Sequence, residues 1–250
     1  MFGGYTSGPR VVAAETAPEE TLAENGKIIR RRRGLSGDFM MDGAETRSHF
    51  LHAYFREQDQ KRGVYAVTAV GEFVPCSLTY LEHGMTHFLS RYPAARKFLF
   101  LDAGSGDGRV VFLLSVVFGL RAVGVEYDEQ LHVRAMDNMA SILRRYPASP
   151  PPTLLCGDFL DESLYRNHGL RFADFHVVFN YANNHTQLAE KVMRDGGQGA
   201  YFLLYTPRPT GERFPSLQDV SSLCLAPEPR TATGPYLQIY RRVPTESGSA

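Results

Sequence analysis

The residues most able to do chemistry lie in a glycine loop between two apolar runs. The loop reads D-A-G-S-G-D-G, from Asp102 to Gly108. It follows the apolar run K-F-L-F-L-D and precedes the apolar run V-V-F-L-L-S-V-V-F. Glycines at such a position let the backbone approach a ligand closely and turn sharply into a helix. We therefore predict a ligand-binding turn between a buried strand and a helix.

Acidic residues around this loop indicate which ligand it would bind. Asp102 ends the first predicted strand, Asp107 lies within the loop, and Glu126 closes the second strand in G-V-E. The glycine spacing is G-x-G-x-G, whereas dinucleotide sites have G-x-G-x-x-G and hold a pyrophosphate that carboxylates would repel. S-adenosylmethionine instead carries an ammonium and a sulfonium, and its ribose hydroxyls can donate to a carboxylate such as Glu126. The pattern predicts an S-adenosylmethionine site.

The third predicted strand, T-L-L-C, is followed by G-D-F at residues 157–159. Asp158 can accept a hydrogen bond from the adenine amine, and Phe159 can cover the adenine ring. In the competing interpretation the glycines form only a tight turn and the acids only cap helices. No metal site is predicted. The core residues expected to bind the cofactor are Asp102, Gly104, Ser105, Gly106, Gly108, Arg109, Glu126, Asp158, Phe159 and Asn180.

The acceptor side is predicted at the end of the fourth strand, which reads F-N-Y-A-N-N-H. Ligands of parallel α/β sheets gather beyond the carboxyl ends of the strands, so Asn180 and Tyr181 are expected to face the transferred methyl group. The amide oxygen of Asn180 can align an amine without adding charge, and the ring of Tyr181 can exclude water. Alternatively, Asn180 caps the following helix, which Asn183 or Asn184 could do equally well.

The elements that must position these residues alternate between strand and helix from Lys97 onward, which predicts a doubly wound parallel sheet. Together with the glycine loop, this pattern predicts a Rossmann-like α/β fold of the class I S-adenosylmethionine-dependent methyltransferase type. Helical periods over Ala44 to Gln60 and Pro75 to Tyr92 predict an N-terminal helical lobe, and P-Y-L-Q-I-Y-R-R predicts a final antiparallel strand. The predicted divisions are a disordered basic extension (1–44), the lobe (45–97), the core (98–206) and a C-terminal segment that completes the sheet and the acceptor channel (207–250).

Bulk composition excludes several classes of protein. Among the 250 residues, 27 Lys and Arg balance 27 Asp and Glu, which argues against a protein that coats nucleic acid along its whole surface. Three widely separated cysteines favour a reducing intracellular compartment, and the run Val110 to Leu120 is too short to span a bilayer. We expect a monomer that does not contact membranes.

A local basic cluster, K-I-I-R-R-R-R, stands in the N-terminal extension. This composition suits nuclear import or a contact with DNA phosphates, although a solvated stretch without function is the simpler alternative. The basic residues of the cluster are Lys27, Arg30, Arg31, Arg32 and Arg33.

The order of these motifs resembles the DOT-one (disruptor of telomeric silencing) family of histone lysine methyltransferases that lack a SET domain. Four segments of the family have counterparts here. The family's D-L-G-S-G-V-G-Q-V-V is similar to D-A-G-S-G-D-G-R-V-V, and its V-I-F-V-N-N-F is similar to V-V-F-N-Y. The segments G-V-E and G-D-F-L are the same in both. The likeness covers roughly residues 64–242. Its departures are Val70 for a tyrosine in the Y-G-E loop, Arg109 for a glutamine, and Tyr181 for the second asparagine.

This resemblance implies methylation of a lysine on a core histone, histone three, in nucleosomes, and a location in the nucleus. It also implies that Glu72 lies in a loop that folds over the cofactor and that Tyr236 lines the acceptor channel together with Asn180 and Tyr181. Two alternatives stay open. One is a methyltransferase for a small molecule, RNA or another protein, and the other is a cofactor-binding chromatin module without activity.

Overall fold

A seven-stranded, mostly parallel sheet forms the centre of the computed structural model, which describes residues 38–68, 71–226 and 234–244. The strands are β1 (Ala66–Thr68), β2 (Gly71–Phe73), β3 (Leu99–Ala103), β4 (Arg121–Glu126), β5 (Thr153–Cys156), β6 (Val177–Tyr181), β7 (Tyr201–Thr206), β8 (Leu217–Cys224) and β9 (Tyr236–Arg242). The α-helices are α1 (Asp38–Arg62), α2 (Leu78–Arg91), α3 (Arg109–Phe112), α4 (Glu129–Arg145), α5 (Glu162–Asn167) and α6 (His185–Asp195). A π-helical stretch, Leu113–Val117, continues α3.

The strand order in the sheet is β5-β4-β3-β6-β7-β9-β8, and the β1–β2 hairpin stands apart as a two-stranded sheet. Strands β3 to β7 pair in parallel, whereas β9 pairs antiparallel with both β7 and β8. The chain runs outward from β3 to β5 and then returns to β6 on the other side of β3. This reversal leaves a crevice beyond the carboxyl ends of β3 and β6, where ligands of such folds bind.

The central strands of the sheet are buried on both faces, which explains why they read as continuous apolar runs. All five residues of β3 and all six of β7 are buried. Successive side chains alternate between the faces, so Phe100 belongs to the apolar cluster that includes residues of α2 and α3, while Leu101 belongs to the one that includes residues of α6. The predicted doubly wound α/β fold is confirmed.

The N-terminal lobe differs from its prediction at one boundary. The first helix begins at Asp38, whereas the predicted extension reached residue 44. Residues 1–37 lie outside the described residues. Residues 42–49 read D-G-A-E-T-R-S-H and carry no apolar period, which concealed the first turns of the helix. The second predicted helix is confirmed as α2, which begins at Leu78 after Pro75.

The C-terminal strand is confirmed, but it is not the sheet edge. Strand β9 is inserted between β7 and an unpredicted edge strand, β8. The sequence of β8, L-Q-D-V-S-S-L-C, lacks an apolar alternation because its residues from Gln218 to Val220 are exposed and a register irregularity follows Asp219.

None of the described helices is long and apolar enough to cross a membrane.

Candidate functional site

A cavity of about 610 Å³ lies in the crevice beyond the carboxyl ends of β3, β4 and β6. Its volume is in the range of small-molecule and cofactor sites. The predicted site residues that line it are Glu72, Asp102, Gly104, Ser105, Gly106, Arg109, Glu126, Asp158, Phe159, Asn180 and Tyr181. Distant segments of the chain are thus brought together at one site, as the strand-end argument predicted.

The front of the glycine loop, Gly104 to Gly106, turns toward the cavity and is covered by the β1–β2 hairpin. Gly106 has a φ of 54°, a conformation that favours glycine. A Cβ atom at Gly106 would overlap the Phe73 ring, so the hairpin lies directly against the loop. Glu72, beside Phe73, lines the cavity as the resemblance implied, whereas Val70 lies outside the described residues.

Glu126 holds the same loop through its carboxylate. Its Oε2 accepts a hydrogen bond from the Gly106 N–H at 2.7 Å, and its Oε1 accepts from the Asp128 N–H at 2.9 Å. Burial raises the pKa of Glu126, and the backbone donors partly oppose that rise. Each carboxylate oxygen retains a further lone pair, so Glu126 can still accept hydrogen bonds from a ligand hydroxyl.

Two buried acceptors at the ends of β3 and β6 have no hydrogen-bond partner among the described residues: Asp102 Oδ2 and Asn180 Oδ1. The Nδ2 of Asn180 donates to the Ala103 carbonyl at 2.7 Å, which fixes the amide with its oxygen free. Both residues are 2% exposed. Because buried polar atoms are nearly always paired in folded proteins, these two oxygens fit a ligand that supplies N–H donors.

The electrostatics of Asp102 favour a cationic ligand. Burial raises the pKa of its carboxyl well above the ordinary value, and the nearby carboxylates of Glu126 and Asp107 raise it further. A cationic group beside Asp102 would reverse this effect by stabilising the ionised form. The cavity therefore fits a ligand with an ammonium group near β3 and β6 and with hydroxyl groups near β4.

The back of the loop, Asp107 to Arg109, departs from its prediction. Arg109 lines the cavity, but its guanidinium is bound by two carboxylates: Nη2 lies 2.7 Å from Asp107 Oδ2 and 2.6 Å from Asp59 Oδ1. The guanidinium also lies 4.8 Å from the centre of the Phe55 ring. The guanidinium of Arg109 is therefore already paired, so its contact with the cofactor stays a prediction, and the charge of Asp107 is balanced by Arg109. The sequence offered no sign of Asp59, which stands 50 residues away along the chain.

Gly108 lies where the chain packs against α3 and α4, away from the cavity. It is absent from the lining formed by the described residues, and a Cβ at Gly108 would lie 2.7 Å from the Phe112 ring. Its φ of 82° allows the chain to turn from the loop into α3. The turn directs Gly108 toward α3 and α4, so the structure does not bring it to the cavity, and its contact with the cofactor stays a prediction.

On the acceptor side, Asn180 and Tyr181 lie together at the end of β6, and the ring of Tyr181 packs against Tyr205 with centroids 5.2 Å apart. Burial raises the pKa of the Tyr181 hydroxyl, which keeps it protonated. The N-cap position of α6 is Asn184, without a side-chain cap hydrogen bond. The alternative that Asn180 caps α6 is therefore wrong, because its amide bonds to β3.

Tyr236, the third predicted acceptor residue, is absent from the described lining of the cavity. It lies on β9 opposite Thr206, and β7 separates it from β6. Only the resemblance placed Tyr236 in the acceptor channel, and the structure does not bring it to the cavity, so this role stays a prediction.

Several lining residues were missed by the sequence reasoning, among them Phe73, Cys76 and Tyr127. Tyr127 could have been found, since it directly follows the strand-end Glu126. Cys76 carries no local signal; its thiol is buried, and that burial raises its pKa. The predicted DNA-contact residues Lys27 and Arg30 to Arg33 lie outside the described residues, so that contact stays a prediction.

Comparisons with known proteins agree at the level of fold. No protein-family model and no curated sequence matches the chain. A mutant of MtNAS in complex with S-adenosylmethionine is similar over 83% of this chain and 76% of that chain, with a TM-score of 0.51 and 12% identity. The same mutant in a second structure is similar over 66% of this chain and 61% of that chain, with a TM-score of 0.50 and 14% identity.

A third solved structure is an RNA methyltransferase from Salinibacter ruber in complex with S-adenosyl-L-homocysteine. The similarity covers 69% of this chain and 95% of that chain, with a TM-score of 0.49 and 18% identity. The chain has the Rossmann-like α/β fold of the S-adenosylmethionine-dependent methyltransferases. None of these structures supports the DOT-one family specifically.

Proposed function

We propose that this chain is an S-adenosylmethionine-dependent methyltransferase. The observation that carries the proposal is the pair of unpartnered buried acceptors in the described part of the crevice, Asp102 Oδ2 and Asn180 Oδ1. The amino-acid ammonium of S-adenosylmethionine supplies N–H donors and positive charge, which both oxygens need. The MtNAS structure with bound S-adenosylmethionine supports the same cofactor, at the level of the fold.

The remaining groups of the cofactor match other lining residues. Glu126 would accept hydrogen bonds from the ribose hydroxyls, and Asp158 from the adenine amine. The rings of Phe159 and Tyr127 would cover the adenine. When bound, the cofactor supplies an electrophilic methyl group on a sulfonium.

The acceptor must reach this methyl group as an uncharged nucleophile. For an amine with a pKa of about 10.4, losing the proton at pH 7 costs roughly 4 to 5 kcal/mol. The half-buried ring of Tyr181 lowers the local polarity, which disfavours an ammonium ion. Asn180 would orient the amine, and proximity would provide most of the rate.

The charges of the cavity bear on the class of acceptor. Glu72, Asp102, Glu126 and Asp158 contribute carboxylates, while the described lining offers a single basic side chain, Arg109, which is already paired. Phosphates near this opening would be repelled, whereas a protonated amine would be attracted before it loses its proton in the cavity. These charges favour an amine over a phosphate-bearing acceptor such as RNA, and we propose that a small molecule or a non-histone protein carries it.

A lysine of nucleosomal histone three is the second candidate. It is favoured by the order of the G-V-E, G-D-F-L and F-N-Y segments, whose residues Glu126, Asp158, Phe159 and Asn180 do line one cavity. In this version the basic residues Lys27 and Arg30 to Arg33 would contact DNA phosphates, and the protein would act in the nucleus.

Methyl-labelled cofactor tests these proposals. The protein is incubated with nucleosomes, free histones, RNA, or a cell extract divided into protein and small-molecule fractions. Label in small molecules or in non-histone protein is the expected result, and label on histone three in nucleosomes would favour the second candidate. Tight cofactor binding with no label in any fraction would contradict enzyme activity.

The role of Asn180 is tested by Asn180→Ala, with the exposed Asn167→Ala as its matched control. We expect Asn180→Ala to abolish transfer and also to weaken cofactor binding, because the oxygen proposed to accept from the cofactor ammonium is lost. Asn167→Ala should leave both quantities unchanged, because Asn167 lies at the exposed end of α5. Retained transfer by Asn180→Ala would remove this residue from the mechanism.

A further inference from the structure

We propose that helix α1 positions the glycine loop through Asp59 and Tyr54, so that ligand affinity depends on two side chains outside the cavity. Both reach Asp107, which stands between the cavity-facing Gly106 and the turn into α3. The effect on cofactor affinity rests on the proposed function, whereas the positioning itself can be measured without any ligand.

The first connection is an ion-pair network. The carboxylate of Asp59 accepts hydrogen bonds from both terminal nitrogens of Arg109, from Nη2 at 2.6 Å and from Nη1 at 3.3 Å. The same guanidinium donates to Asp107 through Nε at 3.0 Å and through Nη2 at 2.7 Å. Arg109 thus joins a carboxylate of α1 to a carboxylate of the loop, and it is only 5% exposed. Such a planar group fixes the direction of both partners.

The second connection reaches the backbone of the same loop residue. The hydroxyl of Tyr54 donates to Asn138 Oδ1 at 3.0 Å, and Asn138 Nδ2 donates to the Asp107 carbonyl at 2.9 Å. Asn138 is 1% exposed, so each of these polar atoms depends on its partner. Asp107 is therefore held from α1 at its side chain and at its carbonyl.

The helical spacing of α1 makes both connections possible. Phe55 and Asp59 stand four residues apart, hence on one face, and the guanidinium of Arg109 lies over the Phe55 ring. Tyr54 is adjacent and packs edge-on against Phe55. A shift of α1 would move Asp107, and with it the neighbouring Gly106, whose N–H donates to Glu126. The contact between the loop and the cofactor site would change in turn.

Asp59→Asn tests the proposal because it keeps the shape of the side chain and leaves the Arg109–Asp107 pair intact. We expect faster amide hydrogen exchange at residues 104–108 in the ligand-free protein, and a roughly tenfold higher dissociation constant for S-adenosylhomocysteine. Tyr54→Phe should act in the same direction with a smaller effect. Glu57→Gln is the matched control, since Glu57 is an exposed residue of α1 that pairs with Lys61.

Unchanged exchange at residues 104–108 in Asp59→Asn would overturn the proposal. A uniform rise in exchange across the sheet would also overturn it, because that pattern indicates lower global stability and not a released loop. If the unaltered protein fails to bind S-adenosylhomocysteine, the proposed cofactor is wrong, while the exchange measurement still decides the role of α1.

Discussion

The glycine loop has a buried carboxylate on each side, and the two carboxylates differ in whether another described residue pairs with them. On the front, Asp102 Oδ2 and the nearby Asn180 Oδ1 are buried and have no partner among the described residues. On the back, Asp107 is also buried, but Arg109 pairs with it and with Asp59. Burial of a carboxylate therefore does not by itself indicate a ligand site. The two front oxygens indicate one because they combine the lack of a partner among the described residues with a position on the cavity wall, and folded proteins rarely leave such atoms unpaired.

The largest predicted effect tests the back of the loop. Arg109→Leu would leave Asp107 and Asp59 facing each other without the cation that joins them. Removing one partner of a buried ion pair typically costs about 3 to 5 kcal/mol, and we expect a loss of that order in the free energy of unfolding. Urea denaturation at pH 7 measures it.

The control is Arg171→Leu, which removes an exposed arginine from its pair with Asp174 and should leave the unfolding free energy nearly unchanged. Adding Asp107→Asn to Arg109→Leu should recover part of the loss. If both arginine variants unfold at the same denaturant concentration, the back of the loop is not held by its charges.

A smaller effect is expected where the hairpin covers the front of the loop. Gly106→Ala forces a Cβ into the Phe73 ring at a backbone conformation that favours glycine. Overpacking of this kind costs roughly 1 to 3 kcal/mol, and the displaced hairpin should also weaken cofactor binding. Denaturation and isothermal titration with S-adenosylhomocysteine give the two quantities.

Gly63→Ala separates the backbone strain from the clash. Gly63 also has a positive φ, of 80°, but a Cβ atom at this position would meet no described atom within 4 Å. It should show the strain cost alone and leave ligand affinity unchanged. Equal effects of the two variants would mean that Phe73 does not press on the loop.

Asp102→Asn is expected to change cofactor affinity and the free energy of unfolding in different ways. It should abolish detectable cofactor binding, because the cationic ammonium loses its carboxylate, while the unfolding free energy at pH 7 stays equal or rises. Calorimetric titration and denaturation measure the two effects. Asp137→Asn, an exposed position on α4, is the control for both.

The pH dependence follows from the raised pKa of Asp102. The folded protein holds this proton in a range where the unfolded chain, with an ordinary pKa of about 3.9, has released it. Stability contributed by Asp102 is therefore lost as pH rises from the unfolded toward the folded pKa, and Asp102→Asn should remove that slope. Cofactor affinity should change in the opposite sense and rise with pH, since binding needs the ionised form.

The contrast between the two sides also explains what the sequence could predict. Asp102, Glu126 and Asn180 lie at or near strand ends, and strand ends of a parallel sheet meet at one edge, so their convergence follows from local patterns. The partner of Arg109 could not be predicted, because Asp59 comes from a helix whose position depends on tertiary packing. The position of Arg109 in the glycine loop, where the DOT-one family has a glutamine, indicates only a cofactor contact.

The errors at the sheet's far end have the same origin. Local alternation predicted β9, but its place between β7 and β8 depends on pairing between distant segments. Strand β8 was missed because its edge position exposes polar side chains, and no apolar period marks it. Tyr236, which only the resemblance placed in the acceptor channel, lies on β9 with β7 between it and β6, so its role stays a prediction.

Tyr236→Phe is expected to have the smallest effect, and it tests how far the acceptor site extends along the sheet. Tyr236 lies opposite Thr206 on β9, with β7 between it and the Asn180 strand. Removing its hydroxyl should leave cofactor affinity and methyl transfer within about twofold, whereas Tyr181→Phe, on the cavity wall, should lower transfer more. Both are read from initial rates with labelled cofactor. A large loss of transfer in Tyr236→Phe would mean that the acceptor channel extends across β7, and that the unpartnered atoms at β3 and β6 mark only its cofactor half.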